Sequence, residues 1–266
     1  MFQNIAEDAK QEEYEDVKET SKKIKNLFSI QNIFLYAISF LLSMVGFGTE
    51  LAPFGLAIFS ATCSNKIPSG IVLVMAGIGT FIKFGSTGLL MYILTVLVFI
   101  ALILIFRPKY EYEQRNEKQK LGKYILIATL LVNVIKMFFS MFLVYDLLTA
   151  IMLSVTTYIF YKIFSNSLVV IKEFNIKQAF SIEEVMGAAL LLSIAFASIK
   201  GLTVFGLSIT NILSIMLVLF LGWKNGILVG GTAGITIGMV LGIITSNSPI
   251  LVAAYAISRN DSRNIK

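Results

Sequence analysis

The sequence predicts an all-α fold, a polytopic transmembrane helical bundle of about ten spans with both termini in the cytoplasm. Three observations support this prediction. Of the 266 residues, 56% are hydrophobic and 14% charged; apolar runs alternate with short polar joints; and nearly all lysines and arginines fall on every second joint. A soluble domain of this size could not cover so much apolar surface, and such a charge bias sets the orientation of membrane helices.

The segment 1–29 precedes the first apolar run and is not expected to be a cleavable signal, because it is charged and polar and no suitable cleavage site follows the first apolar run. Its acidic residues come before its basic ones, and Ile24, Leu27 and Phe28 share one helical face. Two interpretations remain open: a cytoplasmic amphipathic helix on the membrane surface, or a solvated helical lead-in to the first span.

The membrane domain is expected to cover residues 30–258, followed by a polar tail, 259–266. A helix needs roughly 20 apolar residues to cross the hydrocarbon core. Two runs are shorter than this, 51–63 and 249–258. The runs that fit or nearly fit are 30–47, 67–82, 86–106, 124–145, 147–164, 185–199, 202–221 and 226–245.

The short run 51–63 is predicted to cross the membrane. If it did not, the strongly basic joint 107–123 would face outward, against the charge bias. Pro53 lies in the first turn of this run, where a missing N–H costs little. The run 249–258 has no such support and would rise only about 15 Å as a helix. We expect either that neighbouring residues extend it or that the last span is truncated.

The run 226–245 carries a glycine at every fourth position: Gly226, Gly230, Gly234, Gly238 and Gly242. On one helix face these glycines would form a smooth groove about 24 Å long, which another backbone could approach closely. The groove serves either helix packing within the chain or oligomerisation, that is, self-association of subunits.

Lys136 is the charge expected within an apolar run, and charges at membrane depth are costly. Asn133 and Ser140 lie three and four residues away, so all three share one helix face, which should turn toward the bundle. One interpretation is an ion or substrate pathway. The other is a lysine that is internally paired or that extends along the helix to the membrane surface.

Composition excludes much chemistry. The chain has no histidine and a single cysteine, Cys63, which we interpret as a small packing residue. A Ser–His dyad, a histidine-ligated zinc or haem and an internal disulfide are therefore excluded. Nucleotide-binding loops and clusters of acidic residues for two metal ions are absent as well. Asp146, Glu183 and Glu184 are interpreted as residues at helix starts. This chain alone is not expected to be an enzyme, to hold a cofactor or to bind nucleic acid.

Residues 50–59 read ELAPFGLAIF and resemble a segment near the start of the membrane domain of the stage II sporulation protein E family. The residues that carry this resemblance are Glu50, Pro53, Phe54 and Gly55. The glycine-rich run and residues 248–256 are similar to the late spans of that family. After Ala256 the chain departs from the family pattern, because Arg259 and Asp261 follow where small apolar residues are expected.

The resemblance implies a larger parent protein, a sporulation serine phosphatase. In that family a cytoplasmic linker and a manganese-dependent phosphatase domain follow the membrane domain. The phosphatase acts on a phosphorylated anti-sigma-factor antagonist, which leads to activation of the forespore sigma factor. The protein meets the tubulin-like division protein at the asymmetric septum. Manganese is expected only in the phosphatase domain, which is absent from this chain.

Under this resemblance the chain is a multi-pass domain of the cell membrane that anchors, localises and oligomerises the phosphatase. It would lie in the lipid bilayer at the sporulation septum, as a homo-oligomer. The alternative, from a different class, is a small-solute transporter or transporter subunit, in which Lys136 would line the pathway.

Overall fold

Helices make up nearly all of the part of the chain that the computed structural model describes. The described residues are 29–46, 53–65, 67–106, 114–139, 144–173, 181–199, 203–204 and 207–245. Their helices are α1 (Ile30–Ser43), α2 (Pro53–Ser64), α3 (Ser69–Ile105), α4 (Gln114–Phe139), α5 (Val144–Glu173), α6 (Ile182–Ala197), α7 (Ile209–Asn225) and α8 (Ile227–Thr245). A short antiparallel hairpin, β1 (Thr203–Val204) and β2 (Leu207–Ser208), precedes α7. The prediction of an all-α fold is confirmed.

Three helices among the described residues are long and apolar enough to cross a bilayer: Ser69–Ile105, Lys118–Phe139 and Val144–Lys172. Others are shorter, down to the 12 residues of α2, which rise about 18 Å. The prediction of about ten spans therefore goes beyond what these helices show. The run 249–258 and the segment 1–28 lie outside the described residues.

Helix α3 reverses direction at Gly85. There the backbone has φ 70° and ψ −160°, a conformation outside the helical region and almost restricted to glycine. The Tyr92 hydroxyl donates to the Leu73 carbonyl oxygen at 3.3 Å. In a straight helix these residues would lie about 28 Å apart, so 69–84 and 86–105 must form two antiparallel arms. They correspond to the predicted runs 67–82 and 86–106.

Contacts between the helices place every second connection on the same side of the bundle. Asn65, after α2, contacts Ser165 of α5, and Tyr161 of α5 contacts Lys118 of α4. The start of α6 packs against the same part of α5, because a side chain on Gly187 would touch the Ser167 hydroxyl. We call this side of the bundle the basic end and the other side the opposite end.

The basic end holds most of the described lysines. Thr232 of α8 contacts Met186 of α6, and α8 begins where α7 ends, so the α7–α8 junction also lies there. At the opposite end are Lys83, beside the α3 reversal, and Lys136, in the last turn of α4. The described lysines of the basic end are Lys118, Lys120, Lys123, Lys162, Lys172 and Lys224.

Several predicted runs differ from the observed helices at their ends. The run 202–221 begins with the β-hairpin, and its helix starts only at Ile209. Thr203 and Val204 are β-branched, which favours extended backbone. The break between runs 124–145 and 147–164 comes earlier than predicted, since α4 ends at Phe139 and α5 begins at Val144.

The predicted acidic helix starts are confirmed. Asp146 lies in the first turn of α5, where its carboxylate complements the helix dipole. Ser181 and Glu184 form a reciprocal capping box at the start of α6, in which each side chain accepts from the other residue's backbone N–H at 3.2 and 2.9 Å. Glu183 lies in the same first turn.

Replacing Gly85 with alanine should lower the free energy of unfolding by about 1–3 kcal/mol, because a side chain is strained at this positive φ. No neighbouring atom lies within 4 Å of a Cβ built there, so a steric clash does not contribute. The measurement is thermal unfolding of the detergent-solubilised chain. Gly70→Ala is the matched control, since Gly70 has the same open surroundings in the same helix. Equal effects of both substitutions would contradict the reversal at Gly85.

Candidate functional site

Helix α2 is enclosed by protein over most of its length. Every residue from Pro53 to Thr62 is buried, and α1, α3, α4 and α5 all pack against it. A helix that is apolar all round can bury every face in this way. The predicted motif residues Phe54 and Gly55 thus belong to the core, together with Pro53. Glu50 lies outside the described residues.

Aromatic side chains anchor α2 to its neighbours. The Phe54 ring packs edge-on against Phe160 of α5, with 4.7 Å between ring centroids. Phe59 makes a similar contact with Phe99 of α3 at 6.2 Å. Edge-to-face pairs at these distances are favourable beyond their burial alone. The two contacts hold α2 between α5 and the second arm of α3.

Small residues let α1, α2 and α3 meet at Ser43. A Cβ on Gly55 would lie 2.9 Å from the Ser43 Cβ. A Cβ on Gly79 would overlap the Ser43 hydroxyl and lie 2.5 Å from the Phe40 carbonyl oxygen. The Ser43 hydroxyl donates to that same carbonyl at 2.7 Å. Only glycine permits this approach, so Gly55 is a packing residue of the opposite end.

A polar cluster closes the other end of α2. We define the α2 polar cluster as Ser64, Asn65, Lys118, Tyr161 and Ser165. The Asn65 amide nitrogen donates to the Ser165 carbonyl oxygen at 2.9 Å, and the Lys118 ammonium donates to the Asn65 amide oxygen at 2.9 Å. The Tyr161 hydroxyl donates to the Lys118 carbonyl oxygen at 2.6 Å. These bonds connect α2, α4 and α5.

The cluster is suited to holding helices rather than to catalysis. The Asn65 amide nitrogen also donates to the Ala61 carbonyl oxygen at 3.0 Å, which already accepts from the Asn65 backbone N–H at 3.1 Å, so that Asn65 is fixed at the end of α2. The positive charge of Lys118 lies at the same helix end, where it complements the dipole. Within the described ranges, no group of three or more His, Cys, Asp or Glu comes together to hold a metal ion.

The glycine-rich face of α8 packs inside the chain at its start. A Cβ on Gly230 would lie 2.5 Å from the Gly222 Cα of α7, so the two backbones are in contact. Gly234 and Gly238 are buried and Gly242 is half-buried. Gly226 departs from the predicted face, because it ends α7 with φ 89° and lies just before α8. Oligomerisation through these glycines stays a prediction.

Lys136 lies in the last turn of α4, nearer to a helix end than the predicted run implied, because α4 ends at Phe139. It is half-buried and lines a groove between α4 and the second arm of α3. Asn133 is buried as predicted, and its amide donates to the Thr129 carbonyl at 2.8 Å. Ser140 lies outside the described residues.

Comparison with known proteins decides the family. Residues 2–258 match the family model described as SpoIIE, N-terminal domain. This chain belongs to the SpoIIE N-terminal domain family. The predicted resemblance to this family is thereby confirmed, and the motif assignment of residues 50–59 stays a prediction.

A curated relative supports the SpoIIE assignment. Stage II sporulation protein E of Bacillus subtilis (strain 168) is 24% identical over 223 residues, which are 83% of this chain and 26% of the relative. The chain thus spans about a quarter of the length of that relative. No solved structure matches.

The sequence singled out the Pro53–Gly55 segment of this SpoIIE domain but missed the α2 polar cluster. Lys118 was visible only as one of several lysines of a basic joint. Asn65 and Ser165 are about 100 residues apart, so no local pattern connects them. The available signal was that Asn65 and Lys118 both lie at the predicted basic ends of apolar runs.

Replacing Asn65 with alanine should lower the free energy of unfolding by about 1–3 kcal/mol, because it removes the bonds that connect α2 to α4 and α5. Thermal unfolding in detergent measures the effect. Thr157→Val is the matched control, since its buried hydroxyl donates only to the Leu153 carbonyl of its own helix. An Asn65→Ala effect no larger than that of Thr157→Val would show that the cluster does not join the helices.

Proposed function

We propose that this SpoIIE N-terminal domain is the membrane-anchoring, localising and oligomerising part of a sporulation-specific serine phosphatase. The parent protein would act at the asymmetric septum and lead to activation of the forespore sigma factor. The match of residues 2–258 to the family model is the observation that carries this proposal. The name of the relative, a sporulation protein, agrees with it.

The outer surface of the bundle supports the anchoring role. In the three long helices, only 28–39% of the residues in the most apolar windows are buried within the chain. Leu97 and Met152 are two of the residues that are not buried, with exposed fractions of 57% and 67%. Apolar surface of this extent is unfavourable in water and matches the hydrocarbon core of a bilayer.

Aromatic and lysine side chains at the two ends of the bundle also support its placement across a bilayer. Trp223 is 83% exposed at the basic end, beside Lys224, whose ammonium lies 6.0 Å from the centre of the Phe220 ring. Tyr145 is 72% exposed at the opposite end. Tryptophan and tyrosine are enriched at the two membrane–water interfaces, and lysine favours the cytoplasmic side. The basic end is therefore proposed to face the cytoplasm.

The finer topology follows from this orientation. Each arm of α3 and each of the other seven described helices would cross the bilayer, and the run 249–258, extended by neighbouring residues, would supply a tenth span. Both termini would then be cytoplasmic. A span of 12 residues such as α2 is shorter than the hydrocarbon core, but residues 53–62 of α2 are buried by longer neighbours and would not meet lipid.

Partners and cofactors belong to the parent protein in this proposal. The cytoplasmic phosphatase domain would hold manganese and act on the phosphorylated anti-sigma-factor antagonist. The membrane domain would bring it to the tubulin-like division protein at the septum. Self-association would raise the local concentration of phosphatase domains, which increases avidity without new contacts.

The position of Lys136 does not favour the transporter alternative. Lys136 lines a groove on the outer surface of the bundle, where Leu90 and Ile135 are 59% and 50% exposed. A residue of a solute pathway is expected to face the bundle interior or a water-filled cavity.

Cysteine labelling tests the topology. In a Cys63→Ser background, Lys83→Cys should react with a membrane-impermeant maleimide added to intact cells, because Lys83 is exposed at the opposite end. Gln119→Cys is the matched control: it is exposed at the basic end and should react only after permeabilisation. Labelling of both positions in intact cells would contradict the proposed orientation.

A reporter fusion tests the localising role. The full chain with a fluorescent protein after Lys266 should accumulate at the asymmetric septum of sporulating cells, because the proposal assigns localisation to this domain. The control is the same reporter on an unrelated multi-span protein of similar size. An even distribution around the membrane, equal to that of the control, would overturn this part of the proposal.

A further inference from the structure

The groove that contains Lys136 has the dimensions and polarity of a lipid site. We call it the Lys136 groove. It has a volume of about 380 Å³ and lies between the second arm of α3 and the last turns of α4. Its lining residues include Leu90, Met91 and Leu94 of α3, with Val132 and Lys136 of α4.

The groove opens sideways, to the surroundings of the bundle. Leu90 and Leu94, on its α3 wall, are 59% and 44% exposed, and Ile135, on its α4 wall, is 50% exposed. In the proposed membrane placement these side chains face lipid. The occupant therefore reaches the groove from within the bilayer.

Polarity changes along the groove. Thr87 and Lys136 lie at its opposite-end mouth, near the reversal of α3 and the last turn of α4. From Thr87 to Val98 the α3 wall extends about 17 Å toward the middle of the bundle. Apart from Thr87 and Lys136, every lining residue is apolar. The groove thus carries a positive charge near headgroup depth on walls that are otherwise apolar, including Phe139 one turn beyond Lys136.

An anionic phospholipid has the matching chemistry. Its phosphate is negatively charged at headgroup depth, and its acyl chains extend into the hydrocarbon core. We propose that the Lys136 groove binds an anionic phospholipid, with the phosphate at the Lys136 ammonium and one acyl chain along the apolar walls. A zwitterionic lipid of the same acyl chains lacks the net charge and would bind more weakly.

Other charged residues of the opposite end provide a control for the Lys136 variants. Lys83 lies beside the α3 reversal and does not line the groove, and Asp146 lies in the first turn of α5. General attraction to a lysine-bearing surface would involve Lys83 as much as Lys136. Specific binding in the groove would depend on Lys136 and on the space between the walls.

Native mass spectrometry of the full chain in detergent tests the proposal. The protein is titrated with phosphatidylglycerol and, separately, with phosphatidylcholine of the same acyl chains. We expect about five-fold tighter binding of phosphatidylglycerol, which corresponds to about 1 kcal/mol for one lysine at an anionic lipid. Lys136→Gln should abolish this preference, and Lys136→Arg should retain it because the charge is kept.

Two further variants separate the groove from the general surface. Lys83→Gln should leave the preference unchanged. Leu94→Trp should weaken binding of both lipids, because the larger side chain fills the space proposed for the acyl chain. Thermal unfolding of each variant verifies that it is folded; if Lys136→Gln unfolds, the comparison of Lys83→Gln with Leu94→Trp decides.

An unchanged preference in folded Lys136→Gln, or an equal loss in Lys83→Gln, would overturn the lipid site. The inference rests on the proposed placement of α3 and α4 in a bilayer, but not on septal localisation. Cysteine labelling of Lys83→Cys and Gln119→Cys reports that placement independently. Correct labelling without lipid preference therefore rejects the groove alone.

Discussion

The burial of α2 from Pro53 to Thr62 is the constraint on which the rest of the bundle depends. A helix of 12 residues rises about 18 Å, too little to match a hydrocarbon core of about 30 Å by itself. In the proposed bilayer placement, enclosure by α1, α3, α4 and α5 would remove that mismatch, because the neighbours rather than α2 meet the surroundings. Enclosure also requires close approach, and Gly55 and Gly79 provide it by leaving room for Ser43.

The two ends of α2 are held by different chemistry. At the opposite end, contact between small residues brings three helices together, where dispersion forces act over short distances. At the basic end, the side chains of Asn65, Lys118 and Tyr161 form hydrogen bonds between helices. This division follows solvation: the Lys118 side chain is exposed, whereas Ser43 is buried. A charged group is far less costly where water reaches it.

Hydrophobic patterning predicted the helical segments well because each run is long and bounded by polar residues. The two arms of α3 were predicted as separate runs, since Lys83 and Gly85 interrupt the apolar sequence. Local patterning was less successful where the chain stays apolar through a turn. The observed boundary between α4 and α5 lies before Asp146, where the break was predicted. The β-hairpin lies within the predicted apolar run 202–221. Contacts between distant residues, such as Asn65 with Ser165, left no local pattern at all.

The glycine repeat of α8 has a neighbour within the chain. Its start is already in contact with α7 through Gly222 and Gly230, so a second copy of the chain could not occupy that position. The exposed face of α8 carries Ile235 and Met239 instead. Glycine repeats at every fourth position permit a close helix neighbour, but they do not specify whether it belongs to the same chain. Self-association, which the proposed function requires, therefore has to use surfaces other than the Gly222–Gly230 contact.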